Sequence, residues 1–188
     1  MLDTRRLRLR RLCAADETLF VTLDSDPEVM RYIGSRGGTP EEIVARVRDR
    51  IAADHGALGW WLIEDKADGA FHGVAALVRM PDGDDIELAY RLARASWGGG
   101  RATEAATALV SYAFDQVGLP RLVAVTFPEN LASRRVLEKV GFVHDGMSDY
   151  KTVRVAHFTF EAAEWRKRRA GAHGAGRRGR GRGRRAPR

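Results

Sequence analysis

The sequence predicts a single α+β domain built on a mixed β-sheet, and two observations carry this prediction. Stretches with the period-two alternation or the short apolar runs of strands are interspersed with amphipathic helical stretches. A chain of 188 residues is also long enough to bury one sizeable core, or one core followed by a tail.

The predicted strands follow one another in a readable order. The first, "RLRLRRL", alternates apolar and basic side chains, whereas the later ones are richer in apolar and aromatic residues. The turn signals "KADG" and "PDGD" separate neighbouring strands in the middle of the chain. The strands are predicted at residues 6–12, 59–65, 70–80, 85–93, 121–127, 142–147 and 152–161.

The predicted helices have recognisable start and stop signals. Asp16 is a candidate cap for a helix over residues 17–23, and Thr39 followed by Pro40 begins a longer one. A short helical stretch over "DPEVMRYI" lies between them, and "ENLASRRVLEKVG" forms the last helix, which a glycine ends. The helix before it has one apolar stripe of Ala105, Leu109, Ala113 and Val117.

Charge is distributed very unevenly along the chain. The formal net charge is +7, but eleven of the 32 Lys and Arg residues lie between Arg166 and Arg188, where no acidic residue occurs. Residues 1–165 contain the other 21 Lys and Arg residues and all 25 acidic residues, so their formal net charge is about −4. We therefore expect a folded domain over residues 1–165 and a disordered Gly/Arg-rich basic tail over residues 166–188. The tail is either a solvated appendage or an electrostatic arm for RNA or the ribosome.

Several classes of protein are disfavoured by composition. Cys13 is the only cysteine, so the chain can form no internal disulfide and no cysteine-rich metal site. The histidines are too scattered in the sequence to suggest a metal centre. No segment approaches the length of a transmembrane helix, and no apolar secretory stretch follows the N-terminal arginines. We expect a cytoplasmic protein with no bound metal and no membrane contact.

The stretch "SWGGGRATEAAT" places three glycines directly before a helix. The start of a helix exposes backbone N–H groups and a partial positive charge, which together suit phosphate oxygens. Glycine allows close approach to the backbone and unusual dihedral angles. A Walker loop would need Lys after Gly100, and a dinucleotide fingerprint would need glycine in place of Thr103. The loop is therefore a different phosphate-binding loop or simply a flexible turn.

Together with "NLASRRVLEKVGF", the glycine loop resembles the GNAT acyltransferase superfamily. The chain looks most like the ribosomal-protein-alanine N-acetyltransferase (RimJ/RimL-like) branch, because "TRRLRLRRL", "DPEVMRYIG", "IELAYRL", "WGGGRATEA" and "NLASRRVLEKVGF" match in order over about residues 4–160. The resemblance implies a mostly antiparallel sheet of six to seven strands, flanked by helices and splayed at its central strands. It also implies transfer of an acetyl group from acetyl-CoA to a primary amine.

The resemblance further implies which residues hold acetyl-CoA. The pyrophosphate would lie on main-chain amides of the glycine loop, where Trp97 replaces the usual Gln or Arg. The pantetheine arm would pair like an added strand beside residue 92, and Asn130 would combine a helix cap with a CoA contact. The implied binding residues are Leu92, Gly98, Gly99, Gly100, Arg101, Ala102, Thr103, Asn130 and Ser133.

Attack of a neutral amine on a thioester requires a base and a hydrogen-bond donor for the leaving thiolate. Many relatives use a tyrosine as that donor, but Leu137 occupies its position here, so the resemblance points to Ser133 one turn earlier. Glu87 is the best candidate base, with an exposed glutamate paired to arginine as the alternative. Tyr150, together with Asp149 and His144, could border the acceptor.

Two function classes are consistent with these patterns. The first is an acetyl-CoA-dependent N-acetyltransferase that acts by direct attack in a ternary complex on a protein N-terminal α-amine or a small-molecule amine. An α-amine titrates near ~8 and a lysine near ~10.4, so the former is partly free at neutral pH. The alternative is a non-catalytic RNA- or ribosome-associated protein that uses the fold and the basic tail. The first helices and the "SRGGTPEE" loop should form the acceptor pocket, in a monomer or a homodimer.

Overall fold

A computed structural model of the chain describes residues 1–33, 38–53, 56–150 and 152–177. Residues 34–37 of the predicted acceptor loop lie outside the described residues. The strands are β1 (Leu2–Asp3), β2 (Leu7–Arg11), β3 (Gly59–Asp65), β4 (Phe71–Arg79), β5 (Ile86–Leu92), β6 (Arg121–Thr126), β7 (Val143–Tyr150) and β8 (Val153–Glu161). The helices are α1 (Glu17–Asp24), α2 (Pro27–Met30), α3 (Pro40–Ala52), α4 (Arg101–Ser111), α5 (Leu131–Val140) and α6 (Ala162–Arg177).

The strands form one sheet in the order β1-β2-β3-β4-β5-β6-β8-β7. All neighbours are antiparallel except β5 and β6, which are parallel and share a single paired position, Glu87 with Val123. The predicted mixed, mostly antiparallel sheet with a central splay is confirmed. It has eight strands because β1, only two residues long, is too short to show a strand pattern in the sequence.

Helices cover both faces of the sheet and create two separate cores. One core lies under α1, α2 and α3, where Phe20, Leu23, Val29, Ile43 and Val47 surround Val74 of β4. The larger core lies on the opposite face, against α4 and α5, and includes Leu9, Trp61, Leu77, Leu88, Leu109, Leu137 and Phe158. Side chains on the two faces of β5 therefore point toward different cores.

Two details of the predicted helices are wrong. Asp16 makes no side-chain capping bond to α1; its buried carboxylate accepts hydrogen bonds from Arg10 (2.7 and 2.9 Å) and from the Cys13 amide (2.8 Å). After α4 the helix widens into a π-helical segment over Tyr112–Val117, which shifts the apolar stripe. As a result Phe114 is buried in the core, whereas Val117 is only half-buried.

The basic segment also differs from the expectation of an irregular tail from Arg166. Residues 166–177 belong to α6, which packs back on the domain. Trp165 donates its indole N–H to Asp115 (2.9 Å), Arg169 pairs with the same carboxylate, and the Arg168 guanidinium lies 5.4 Å from the Phe160 ring centre. Composition could not show these partners, because they lie far away in the sequence. None of the described helices is long and apolar enough to cross a bilayer.

Glu104 joins the first turn of α4 to the N-terminal strands. Its carboxylate accepts bonds from the Thr4 hydroxyl (2.7 Å), the Arg6 amide (2.8 Å) and the Arg6 guanidinium (2.7 Å). Burial alone would raise the pKa of Glu104, but these bonds outweigh it and lower the pKa below its usual range. This stabilisation is therefore present above the unfolded-state pKa and is lost as pH falls through the folded-state pKa.

Glu104→Gln should reduce the free energy of unfolding at pH 7 by about 1–3 kcal/mol, because hydrogen bonds to a charged group are lost. Urea denaturation measures this, with Glu138→Gln on the exposed face of α5 as the matched control. The difference from the wild type should begin to shrink below about pH 4 and vanish as pH falls through the lowered folded-state pKa, because the wild-type carboxylate is then also protonated. Equal unfolding midpoints at pH 7 would contradict the assignment.

Candidate active site

The splay leaves part of β5 without a neighbouring strand. The Ala93 amide donates to the His72 carbonyl of β4 (2.9 Å). Because the N–H and C=O groups of successive strand residues point to opposite sides, those of Tyr90 and Leu92 point away from β4, toward the opening. The Leu92 carbonyl accepts a bond from the Trp97 indole (2.8 Å). A strand edge of this kind can pair with an extended amide-containing chain, as predicted for the backbone near residue 92.

The glycine loop leads directly into the first turn of α4. Gly98 and Gly100 have φ angles of 77° and 74°, in the left-handed region that favours glycine. Because α4 begins at Arg101, the amides of its first turn have no partner within the helix. The Arg6 guanidinium, which pairs with Glu104, lies 3.7 Å from the place that a Gly100 Cβ would occupy. The loop thus has the shape and charge of an anion cradle.

A buried histidine orients the arginine of this loop. Arg101 donates its Nε hydrogen to Nε2 of His72 (3.1 Å), and Nδ1 of His72 lies 2.8 Å from the hydroxyl of buried Ser96. Asp65 lies 3.3 Å from Nε2 of His72. Sequence reasoning treated this histidine as one of a scattered set, since its partners are up to 29 residues away.

Ser133 lies on the first turn of α5, beside the opening. Asn130 accepts a hydrogen bond from the Ser133 amide (3.1 Å), which confirms the predicted cap. The Tyr90 hydroxyl is 3.1 Å from the Ser133 hydroxyl and donates to the Ser133 carbonyl (3.2 Å). Leu137, at the position where many relatives have a tyrosine, is buried in the core. The site therefore brings together one strand and one helix across the splay.

Tyr90 was missed by the sequence analysis, although it stands within "IELAYRL". Burial raises the pKa of Tyr90 to about 12, and the bond to Ser133 only partly offsets this. The phenol is consequently protonated at neutral pH and available as a hydrogen-bond donor. The sequence could point to Tyr90 only through its place on the α5 side of the predicted strand, because its partner Ser133 is 43 positions away.

Glu87 lies on the other face of β5 and is buried, with only 7% of its surface exposed. This burial contradicts the alternative of an exposed strand glutamate. The Tyr150 hydroxyl donates to Oε2 of Glu87 (3.3 Å), so these two candidate residues lie side by side. Burial, reinforced by the adjacent Glu87 charge, raises the pKa of Tyr150 to about 12, which keeps that phenol protonated.

The other two candidates for the acceptor border are exposed and have different surroundings. Asp149 lies 3.7 Å from Arg154, and His144 packs against the Phe158 ring at 5.1 Å. Within the described ranges, no three His, Cys, Asp or Glu side chains come together as a metal site.

Comparison with known proteins identifies the family to which this arrangement belongs. Residues 6–143 match the acetyltransferase (GNAT) domain family. The chain is 35% identical to YkkB of Bacillus subtilis over 144 residues, which cover 74% of this chain and 83% of YkkB. It is 27% identical to an acetyltransferase from Agrobacterium tumefaciens whose crystal structure superimposes with a TM-score of 0.75, covering 85% of this chain and 93% of that one.

The chain belongs to the GNAT superfamily and is an acetyl-CoA-dependent N-acetyltransferase. The ribosomal L7/L12 alpha-N-protein acetyltransferase RimL, solved in complex with coenzyme A, is a more distant structural neighbour. It is 17% identical, with a TM-score of 0.73 over 84% of this chain and 95% of RimL. Identity at that level establishes a shared fold, so the RimJ/RimL-like branch stays a prediction.

Proposed function

We propose that this N-acetyltransferase acts in the cytoplasm and acetylates a protein N-terminal α-amine or a small-molecule amine by direct attack in a ternary complex. The observation that carries the proposal is the placement of Glu87 and Tyr90 on opposite faces of one splayed strand. The acyl donor would approach from the α4–α5 face and the amine from the α1–α3 face, so that they meet in the opening.

The donor side fits acetyl-CoA. Main-chain amides of residues 98–103 and the Arg6 guanidinium would hold the pyrophosphate, while the part of β5 around Leu92 that lacks a neighbouring strand would pair with pantetheine amides. Arg101, held by His72, would limit how the anion enters the loop. The bound donor supplies the activated acetyl group as a thioester.

The amine side depends on Glu87. Its carboxylate would accept the proton that the amine loses as its nitrogen bonds to the carbonyl carbon, either directly or through one water molecule. Tyr150 holds the carboxylate by donating to Oε2, which fixes the orientation of Glu87. Burial of Glu87 keeps this proton transfer away from bulk solvent.

Ser133 and Tyr90 would assist departure of the thiolate. As the C–S bond breaks, negative charge develops on sulfur and is stabilised by a nearby hydrogen-bond donor. Tyr90 donates its one hydrogen to the Ser133 carbonyl, so the serine hydroxyl would turn its hydrogen from the phenol oxygen to the sulfur when the donor is bound. The thiolate is finally protonated from solvent or through this hydroxyl pair.

The non-catalytic alternative gains no support from the relatives, and two cations of the predicted polyanion arm, Arg168 and Arg169, contact the domain itself. The enzyme is tested directly by incubating the full chain with acetyl-CoA and a panel of primary amines, and by following free thiol and acetylated amine together. We expect both products in equal amounts. Thiol release without an acetylated amine would contradict the proposal.

Ser133→Ala should lower kcat about tenfold, the effect of one lost hydrogen bond worth about 1.4 kcal/mol in the transition state. Tyr90→Phe should lower kcat by a smaller factor, because it acts through Ser133. Ser111→Ala on α4, whose hydroxyl bonds to Asp115, is the matched control and should retain wild-type kinetics. A raised KM for acetyl-CoA with unchanged kcat would make Ser133 a binding residue instead.

A further inference from the structure

Arg91 is a buried cation with unused hydrogen-bonding capacity. Its side chain is only 9% exposed, yet its Nε and Nη2 atoms have no hydrogen-bond partner among the described residues. Nη1 lies 3.9 Å from the Met30 sulfur, a weak acceptor. A guanidinium carries five donor hydrogens in a planar fork, so most of that fork is unfilled.

Asp24 supplies a counter-charge to Arg91, but it does not fill the hydrogen-bonding fork. Asp24 is near, with Oδ1 3.2 Å from Nη2, but this contact lacks hydrogen-bond geometry, and Oδ1 of Asp24 is itself buried without a hydrogen bond. Burial lowers the pKa of Arg91; the negative charge of Asp24 opposes this shift, and the positive charge of Arg46 adds to it. Burial and the charge of Arg91 lower the pKa of Arg50 to about 10. Even with this ion pair, a buried guanidinium whose donors lack hydrogen bonds is costly unless a further acceptor reaches them.

Arg91 lies on the same face of β5 as the candidate base. Glu87, Ala89 and Arg91 alternate onto the α1–α3 side of the strand, where Arg91 is paired in register with Val74 of the second core. Ala89 between them is half-buried and has a short side chain, which leaves room above the strand. At about 3.3 Å per residue, Glu87 and Arg91 are about 13 Å apart along the strand.

We propose that the acceptor is an amine that also carries a carboxylate, and that Arg91 binds this carboxylate while the amine faces Glu87. The inference rests on the proposed function, since it assigns the second end of the same acceptor site. The planar fork of arginine matches the two oxygens of a carboxylate. A positively charged far end, as in a diamine, would be repelled. Arg91 is thus a specificity-determining residue for anionic acceptors.

The test compares three acceptors of equal length: γ-aminobutyrate, γ-aminobutyramide and putrescine, whose far ends are anionic, neutral and cationic. We expect wild-type kcat/KM for γ-aminobutyrate to exceed that for the carboxamide by about tenfold or more, because the hydrogen bond from Arg91 to a charged carboxylate is worth at least that factor. Putrescine should have the lowest kcat/KM of the three. A pair of tripeptide amides with Glu or Gln at the second position shows whether the carboxylate belongs to a peptide or to a free amino acid.

Arg91→Gln should reduce the carboxylate-to-carboxamide ratio to about one, whereas Arg79→Gln at the exposed end of β4 should leave it unchanged. Both rates come from the same preparation, so the ratio does not depend on the folded fraction. A wild-type preference for the carboxamide or diamine, or an unchanged ratio in Arg91→Gln, would overturn the inference alone. Failure of every acceptor would contradict the proposed function as well.

Discussion

Gly100→Val should abolish measurable binding of CoA, with an affinity loss of well over tenfold. Valine at φ 74° is strained by about 2 kcal/mol, and its branched side chain would occupy the space above the loop amides. Relief of the strain would move the first turn of α4 away from the position that presents its N–H groups. Isothermal calorimetry with CoA measures the affinity directly.

Gly118→Val provides the matched control for this prediction. Gly118 has φ 78°, and a Cβ added there meets no atom within 4 Å, so it has the same backbone strain without contact with the loop. The control should lose stability but keep its CoA affinity. Equal CoA affinity in wild type and Gly100→Val, with both proteins folded by circular dichroism, would remove the phosphate-binding assignment.

Glu87→Gln should lower kcat/KM by about 10² or more, the usual contribution of a positioned base. The loss should be greatest at low pH, where the amine is mostly protonated, and should shrink as pH rises above the amine pKa, near ~8 for an α-amine. A pH–rate profile from pH 6 to about pH 9.5 measures both effects. CoA affinity should be unchanged, because Glu87 lies on the face of β5 opposite the donor.

Two companion variants sharpen this result. Tyr150→Phe removes the donor to Oε2 and should produce a smaller loss with the same pH trend, since the carboxylate remains. Glu161→Gln, an exposed residue at the end of β8, is the control and should match the wild type. If the Glu87→Gln profile overlays that of the wild type, this residue is structural and the base lies elsewhere.

Local sequence signals were sufficient for most of the fold, for the glycine loop and for the cap of α5. Thr39 and Pro40 predicted the start of α3, and both the cap by Asn130 and the glycine loop before α4 appear as expected. Each of these features depends on residues within a few positions of one another. Strands with strong alternation or apolar runs were recognised for the same reason.

The remaining site residues depend on contacts between distant parts of the chain. Tyr90 becomes a candidate only when β5 meets α5, and Arg6 only when β2 lies beside the glycine loop. The π-helical segment and the docking of Trp165 on Asp115 have the same origin in tertiary packing. The unfilled guanidinium of Arg91 could not be recognised from "AYRLA", because burial, and not residue type, makes it unusual.

A crystal structure of the full chain with CoA tests most directly the claim that the donor enters the splay between β5 and β6. We expect the pyrophosphate to accept hydrogen bonds from main-chain amides of residues 98–103, the pantetheine to run along the β5 edge at Leu92, and the sulfur to lie within hydrogen-bond reach of the Ser133 hydroxyl. A structure in which CoA leaves the glycine loop empty, or directs its sulfur away from Ser133 and Glu87, would contradict the account.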